Sequence, residues 1–438
     1  MTHRVAAWLE HWGPILPLLI AEGTVWLGFG ALLPILPIYY TQHGVDMRTL
    51  GIVVAAWPAA RLVGEPVFGW VADRTSRKRM MVIGLALSAI AAVMPLFLVG
   101  PIAFIAARLL AGLFAAVYDP AARGYLVDAN TPEQQGETFG LYGSFQMGGF
   151  MAGPAVGGLA AAATSEPTVV FWVCGISLVV SAVLVASRLA DRPRARRVTP
   201  ATATAVAEPA VAEPAAIGTV IADARPSRSA GLANRLVLVA LILNMGAFLA
   251  SGTYEVVWSL YMTSLGASVA LIGLSFFTFS LPVMLLSPFT GRYVDRRGGF
   301  LALVLGIIGV AGCGILYPVI PSVWWVVGLG LAEGTAAAFS SPALYLLVSR
   351  ASPPGRTSTV QGVFGAAGTI GTITAALVAG MLAAIDLRLP FIASGVATLA
   401  LLAIGLTLGG RRLWDVLQPS HLAAAVPAVT AGAAGPPA

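Results

Sequence analysis

Seven ionisable side chains lie inside long apolar stretches of the sequence: Glu22, Arg61, Glu65, Arg108, Asp119, Glu255 and Glu333. An ionised side chain in the middle of a membrane-spanning helix costs roughly 3 kcal/mol on insertion scales, so seven that faced lipid would cost about 20 kcal/mol. We therefore expect these side chains to face water or one another. Buried charges of this kind are suited to binding a proton or to balancing the charge of a solute.

Glu22 and Trp26 are one helical turn apart and share a helix face. A carboxylate beside an aromatic ring suits a cation, or a proton that a cation displaces. A fixed ion pair between Glu22 and a neighbouring helix is the structural alternative. Glu333 is the second carboxylate that we expect to bind a proton or a substrate charge.

The spacing of the other buried charges predicts which of them pair and how deep in the membrane they lie. Arg108 and Asp119 are eleven residues apart, about 16 Å along a helix and on the same face, so we expect them at different depths of one pathway. Arg61 and Glu65 are four residues apart and are expected to pair with each other for structural reasons. Glu255 is expected either at an outer gate or at the membrane interface.

Composition decides which solvent surrounds these residues. The 438 residues are 58% hydrophobic and 10% charged, with a mean hydropathy of +0.86, so most of the chain must lie in lipid. Arg77 stands where a phosphate-binding loop ending in Lys78 would need glycine, which excludes an ATP site of that type. Cys174 and Cys313 lie in separate apolar runs, so the sequence predicts no disulfide, metal or other cofactor, and no catalytic constellation of an enzyme is present.

Apolar runs long enough to cross a bilayer divide the chain into twelve predicted spans. The first is too long for a cleaved signal peptide. The spans are 14–40, 48–71, 80–99, 101–124, 136–163, 168–188, 236–262, 268–291, 300–319, 322–347, 358–384 and 388–409. The predicted units are an N-terminal six-helix bundle (1–190), a disordered connector (191–233), a C-terminal six-helix bundle (234–412) and a disordered tail (413–438).

Basic residues give the expected orientation. If both termini are cytoplasmic, 21 of the 25 Arg and Lys residues fall on the cytoplasmic side, as the positive-inside rule requires. We therefore expect a multi-pass protein of a bacterial-type cytoplasmic (inner) membrane. The same distribution explains the pI of about 9.6 without any binding of nucleic acid.

The two halves of the chain repeat each other. An offset of 222 residues aligns them without a gap from about residue 34 to residue 160. Among the matched pairs are Tyr39 with Tyr261, Gly51 with Gly273, Asp73 with Asp295, Pro120 with Pro342 and Gly158 with Gly380. A duplicated six-helix unit in parallel orientation is typical of a transporter whose site lies between the halves.

Three motifs then suggest a family. The loop after the second span reads Gly69-Trp-Val-Ala-Asp73-Arg74-Thr-Ser-Arg77-Lys78, which resembles motif A of the major facilitator superfamily, and Asp295 and Arg296 stand at the matching place in the second half. In that family the motif forms a cytoplasmic gate that favours the outward-facing state. Val71 and Ser76 depart from the usual Leu and Gly. Asp128 is the expected partner of Arg77.

The fifth span contains the complete pattern that resembles motif C of exporters and antiporters: Gly149, Gly153, Pro154, Gly157 and Gly158. Glycines four residues apart allow close helix packing, which is the structural alternative for this pattern. Arg108 and Gly112 resemble motif B, whose Arg is associated with proton coupling, although Ala111 replaces the usual Gln.

The resemblance implies an all-α membrane protein with twelve transmembrane helices in two pseudo-symmetric six-helix bundles, the major facilitator fold. Spans one, four, seven and ten line the central cavity in that family, and five of the seven buried charges lie on them. The resemblance also implies a monomer, a small-molecule substrate, protons and the lipid bilayer as partners, and no cofactor.

Drug:proton antiport by alternating access, as in multidrug efflux, is the predicted function, with Glu22, Glu333 and Arg108 in protonation and charge balance. One alternative is a metabolite carrier for sugars, amino acids or siderophores, although Asn and Gln are few within the spans. The other is a non-transporting sensor or lipid-handling protein on the same scaffold.

Overall fold

The structure of the protein is a computed structural model that describes residues 12–130, 135–164, 166–191, 234–353 and 357–419. These residues form helices and contain no strand. The twelve helical elements are α1 (Leu16–Leu32 and Leu36–Gln42), α2 (Met47–Ala72), α3 (Arg77–Val93), α4 (Pro101–Ala129), α5 (Gln135–Thr164), α6 (Val169–Arg188), α7 (Arg235–Ser264), α8 (Val269–Arg297), α9 (Phe300–Leu316), α10 (Val323–Ala351), α11 (Thr357–Ala383) and α12 (Leu389–Val416).

The repeat extends to the signals that begin these helices. Asp46 caps α2 by accepting from the Arg48 and Thr49 amides at 2.9 and 3.2 Å, and Ser268, its equivalent at the offset of 222, caps α8 by accepting from Leu271. The hydrogen bonds from Thr49 lower the pKa of Asp46 below its ordinary value. The second span of each half therefore begins at a side-chain N-cap in the equivalent position.

The predicted spans coincide with the helices, several of which run past the predicted ends, and α1 differs in shape. Ten of the described helices are long and apolar enough to cross a membrane, and the two parts of α1 make an eleventh when taken together. The remaining one, α5, is 30 residues long and rich in glycine. The first span was predicted as continuous, but α1 bends by 41° at Leu33–Ile35 because Pro34 cannot donate a backbone hydrogen bond.

Helix packing follows the same scheme in each half. In the N-terminal half α1 packs on α5 and α6, α2 on α4, and α3 on α4 and α6. In the C-terminal half α7 packs on α11 and α12, α8 on α10, and α9 on α10 and α12, the same pairs at the offset of six helices. Tyr39 donates to the Pro95 carbonyl at 3.0 Å and its equivalent Tyr261 to the Tyr317 carbonyl at 2.7 Å. The duplication therefore preserves tertiary contacts as well as sequence.

The halves meet through two pairs of equivalent glycines at the end of the molecule that carries the α1–α2 connection, which we call the closed end. A Cβ added to Gly380 would lie 2.8 Å from the Gly51 Cα, and one added to Gly158 would lie 3.4 Å from the Gly273 Cα. The two crossings join α2 to α11 and α5 to α8. Glycine allows the backbones to approach this closely at both crossings.

The other end of the molecule, with the α2–α3 connection, is called the open end. A Cβ added to Gly143 of α5 or to Gly365 of α11 would meet no atom within 4 Å. These residues are also equivalent in the repeat. No described residue therefore lies against α5 or α11 at these positions of the open end, whereas both helices are tightly packed at the closed end.

The chain after residue 412 requires a correction. Residues 413–438 were predicted as a tail, but α12 continues to Val416, and Leu413 and Leu417 are fully buried. The polar run that begins at Gly410 suggested an end, whereas its φ of 51° kinks the chain and returns both leucines to the core. Of the predicted connector, only Asp191 lies among the described residues, and 420–438 of the tail also lie outside them.

Backbone bonds also hold this last segment. Arg350 Nη1 donates to the Val416 and Gln418 carbonyls at 2.8 and 2.6 Å, and the Gly299 amide donates to the Leu417 carbonyl at 2.8 Å. The segment through Pro419 is thus an integral part of the C-terminal half.

Two truncations distinguish the predicted tail from the structural segment. Loss of a buried leucine costs roughly 2–5 kcal/mol, so we expect deletion of 413–438 to lower the Tm of the purified protein by several degrees. Deletion of 420–438 is the matched control and should leave the Tm unchanged. Thermal unfolding followed by circular dichroism measures both, and equal Tm values for the two truncations would contradict the assignment.

Candidate functional site

A central cavity of about 290 Å³ lies between the halves. Aromatic side chains from both halves line it, including Trp26, Phe29, Trp57, Phe276 and Phe279. Three of the five buried charges expected there also line it, namely Arg108, Glu255 and Glu333. The cavity is thus largely apolar and carries a few polar groups, as small-molecule sites in proteins do.

Glu333 on α10 is a carboxylate held by neutral donors. Its side chain is 2% exposed, and it accepts from Tyr254 Oη and Tyr317 Oη at 2.8 and 2.7 Å. No Arg or Lys pairs with it among the described residues. A buried carboxylate without a cationic partner is unfavourable in the charged form. The site therefore favours the presence of a proton or of a cation at Glu333.

Glu22 is held in the same way but in another place. It is fully buried within the N-terminal half and accepts from Trp26 Nε1 at 2.8 Å, Tyr118 Oη at 2.7 Å and Gln146 Nε2 at 3.2 Å. It does not line the central cavity, contrary to the expectation that spans one, four, seven and ten present their charges to one surface. Its connection to the cavity is the Trp26 ring, which lies between them.

Arg108 and Glu255 join the two halves. Arg108 Nη2 on α4 lies 2.8 Å from Glu255 Oε1 on α7, and both line the cavity. The sequence left the role of Glu255 open between an outer gate and the interface. This geometry favours the gate, because an ion pair across the halves must break when they separate.

The N-terminal half also contains an ion-pair network that includes a predicted pair and adds a second partner to it. Arg61 pairs with Glu65 at 2.7 Å, as the sequence predicts, but also with Asp119 on α4. Arg123 lies 3.6 Å from Glu65 and completes the network. Asp119 therefore belongs to a structural cluster rather than to the cavity surface. No periodicity signal links residues on different helices, so sequence reasoning missed this pair.

The motif A residues lie at the open end. Arg77 Nε lies 2.7 Å from Asp128 Oδ2, the expected partner, and 3.5 Å separates Arg77 Nη2 from Asp73 Oδ1. Arg74 stacks on Trp70 at 3.7 Å. The side chain of Asp73 is 64% exposed, and its described ion pair is within the same half. The gating role of these residues stays a prediction.

The second half does not repeat this ion pair. Gly299 occupies the position equivalent to Arg77, and Arg350 occupies that of Asp128. Arg350 instead binds the carbonyls that end α12. Asp295 and Arg296 therefore keep the motif in sequence while the Arg–Asp pair of the first half has been replaced by the anchor of the C-terminal segment.

The motif C glycines pack α5 against its neighbours. Cβ atoms added to Gly153 and Gly30 would lie 2.6 Å from the Leu27 carbonyl and 2.8 Å from the Phe150 carbonyl, and Gly149 and Gly157 contact α1 in the same way. Pro154 and Gly158 face Gly273 of α8 across the halves. The motif thus combines packing within the first half with closure of the central cavity.

No cluster of three or more His, Cys, Asp or Glu side chains suited to a metal ion occurs in the described part of the chain.

Comparisons with known proteins agree with this architecture. The family model described as Major Facilitator Superfamily matches residues 18–255 and 240–427. The solved inward-facing, occupied structure of a bacterial homologue of the human lysosomal transporter Spinster is similar with a TM-score of 0.71 and 13% identity over 93% of this chain and 98% of that one. The nucleoside transporter NupG gives a TM-score of 0.68 and 15% identity over 90% and 98%. These solved structures show the fold.

Curated relatives are similar over a shorter segment. The quinolone resistance protein NorA of Staphylococcus aureus is 30% identical over 139 residues, which are 31% of this chain and 35% of the relative. Multidrug resistance protein 2 of Bacillus subtilis is 30% identical over 137 residues, 31% and 34% of the two chains. The matched segment spans about a third of the length of these relatives.

The ion pair across the halves gives a test of closure. Glu255→Gln leaves Arg108 buried without its partner at the closed end, at a cost of about 1–3 kcal/mol for a partly exposed pair. We expect the population open at that end to rise about tenfold. Labelling of a Leu36→Cys reporter by an impermeant maleimide outside whole cells measures this, with Cys174 and Cys313 replaced. The charge-swapped Arg108→Glu, Glu255→Arg protein should return towards the original rate, and an unchanged rate in Glu255→Gln would contradict the gate.

Proposed function

Because the chain belongs to the Major Facilitator Superfamily, we propose that it is a proton-coupled antiporter that exports hydrophobic or cationic small molecules by alternating access. The transporter resides in a bacterial-type cytoplasmic membrane with both termini in the cytoplasm. The positive-inside distribution of Arg and Lys supports this orientation and makes the open end cytoplasmic.

The observation that carries the proposal is the environment of Glu333. This carboxylate lines an aromatic cavity between the halves and has hydroxyl donors but no described cationic partner. A proton or a cationic substrate can each neutralise the buried negative charge of Glu333. Once one of them is bound, the other gains little from binding, so the two compete for the site. One site with two mutually exclusive occupants is the thermodynamic basis of antiport.

Glu22 supplies a second site for a proton. Its described donors are neutral and it does not line the cavity, so a substrate bound in the cavity does not contact it. Trp26 donates to Glu22 and lines the cavity, so protonation of Glu22 changes the hydrogen bonding of a side chain on the substrate surface. We assign Glu333 to direct competition and Glu22 to proton binding that acts through Trp26.

Export is supported by features outside the carboxylates. The complete motif C resembles that of exporters and antiporters, and its Gly158 takes part in the closed-end crossing with Gly273. The relatives NorA and multidrug resistance protein 2 carry names that refer to drug resistance. Arg108 and Glu255 keep the cavity shut from the outside until the halves rock about the substrate.

A metabolite carrier of the same fold is the alternative, and the side chains that line the cavity give it little support. Sugar sites use several amide side chains, but Asn244 donates to the Phe364 carbonyl at 2.7 Å, and Gln146 donates to Glu22. Neither amide lines the cavity. The polar lining of the cavity consists instead of hydroxyl groups and the three charged residues.

Proton release on substrate addition tests the proposal. Purified protein in weakly buffered solution is mixed with tetraphenylphosphonium, ethidium or a neutral drug, and a pH-sensitive dye records the released protons. We expect release with a lipophilic cation, its loss in Glu333→Gln, and at least a severalfold reduction in Glu22→Gln. The expected difference is that Glu22→Gln still binds the cation with nearly unchanged affinity, because Glu22 does not line the cavity.

Glu166→Gln is the matched control, because Glu166 is an exposed carboxylate outside the helices and should leave proton release unchanged. Absence of release with every compound, together with passive uptake of a metabolite into vesicles, would replace antiport by facilitated transport.

A further inference from the structure

We propose that the open-end termini of α2 and α8 each bind the headgroup phosphate of an anionic phospholipid. The binding side chains are Arg74, which stacks on Trp70 in the first half, and Arg292, which lies over Phe289 in the second. This interaction goes beyond the proposed function, because it does not depend on the transported substrate. It gives Arg74 of motif A a partner outside the protein.

One face of α2 is exposed along the part of the helix that leads to the open end. Val63, Val67 and Trp70 are each more than half exposed, and their spacing of four and three residues places them on one helix face. The guanidinium of Arg74 lies over the Trp70 ring and so continues this face. Large apolar side chains exposed on a membrane-spanning helix contact acyl chains. Arg74 therefore stands at the polar end of a lipid-facing stripe.

The length of α2 puts Arg74 at the level of the lipid headgroups. The helix has 26 residues, which extend about 39 Å, whereas the hydrocarbon core of a bilayer is roughly 30 Å thick. Arg74 lies just beyond the last residue of the helix, Ala72. Trp70 is of the residue type that is enriched where the hydrocarbon core meets the headgroups. The stacked pair is therefore placed at the membrane interface.

The second half has the same stripe. Leu285 and Phe289 of α8 are equivalent to the two valines of the α2 stripe at the offset of 222 residues, and both are more than half exposed. The guanidinium carbon of Arg292 lies 5.0 Å from the centre of the Phe289 ring. Each half therefore has an arginine held over the last aromatic ring of a lipid-facing stripe.

The protein positions the guanidinium of Arg74 without neutralising it. Nη1 donates to the Trp70 carbonyl at 3.1 Å, and the guanidinium carbon lies 3.7 Å from the centre of the Trp70 ring. Among the described residues, Arg74 forms no ion pair. The nearby carboxylates have other partners, because Asp73 pairs with Arg77 and Asp191 accepts from a serine hydroxyl at 3.0 Å.

Charge and shape decide which molecule fits. A guanidinium forms paired, charge-assisted hydrogen bonds with phosphate oxygens. The lipid-facing stripe next to each arginine contacts the acyl chains of the same molecule, which a free phosphate ion lacks. A headgroup with its own cation would bring a second positive charge close to the arginine. The site therefore favours an anionic phospholipid such as phosphatidylglycerol.

Native mass spectrometry of the full chain in detergent measures the site. The protein is titrated with phosphatidylglycerol and, separately, with phosphatidylcholine of the same acyl chains, and the dissociation constants of the first two bound lipids are compared. We expect both phosphatidylglycerol molecules to bind about fivefold more tightly than phosphatidylcholine, the preference expected for one arginine at an anionic headgroup. Glycerol phosphate, which has the phosphate but no acyl chain, should not displace the lipid at millimolar concentration.

Variants assign the preference to the two arginines. Arg74→Gln and Arg292→Gln should each abolish it for one of the two bound lipids, and the double variant for both. Trp70→Leu keeps an apolar residue in the stripe but removes the ring, so it should reduce the preference at the first site to less than twofold. Unchanged binding of phosphatidylcholine reports that each variant is folded.

Arg188→Gln is the matched control. Arg188 is exposed in the last turn of α6. That end of α6 is the open end, because Asp191 contacts Ser76 of the α2–α3 connection. The control thus removes the same charge from the same end of the molecule and should keep the wild-type preference.

Three results would overturn the proposal. The first is equal affinity of the wild type for the two lipids. The second is an equal loss of preference in Arg188→Gln and Arg74→Gln, which would assign the preference to the overall charge of the open end. The third is displacement of the lipid by glycerol phosphate, which would indicate a site for a bare anion.

Discussion

A charge within this helical bundle has little water around it and must be neutralised by the protein, by a proton or by a ligand. Two solutions coexist. Arg61, Asp119, Glu65 and Arg123 neutralise one another, and Arg108 neutralises Glu255 across the halves. Within the part of the chain that the structure describes, Glu22 and Glu333 accept from neutral donors only. The carboxylates of the second group have no described cationic partner, so a proton or a bound cation would stabilise them most.

The two halves share a scaffold but not its chemistry. Tyrosine anchors, cap positions and closed-end glycines occur in equivalent pairs at the offset of 222 residues. The charged residues do not: Glu22 is matched by Asn244, and Glu333 by Ala111. Asn244 is satisfied by a backbone carbonyl of α11. The two halves thus share a common frame, and each contains one carboxylate that the described residues hold with neutral donors in different surroundings.

The sequence predicted the frame well because its signals are local or periodic. Apolar length defines the spans, and the gap-free repeat predicts that both halves pack alike. The pair of Arg61 with Asp119, the tyrosines that hold Glu333, and the burial of Leu413 all depend on contacts between distant residues. Such contacts leave no periodic trace in one sequence.

The glycine crossings at the closed end have a consequence for how this chain can vary. A side chain at Gly51, Gly380 or Gly273 would displace a neighbouring backbone, and one at Gly158 would meet the Val269 carbonyl at 3.1 Å. Since no residue is smaller than glycine, every substitution at these four positions adds atoms to the closed-end interface. Each substitution therefore acts against the conformation in which this end is sealed. Substitutions at the crossings therefore shift the conformational equilibrium in one direction only, away from the closed state. Changes elsewhere in the interface between the halves must restore its stability.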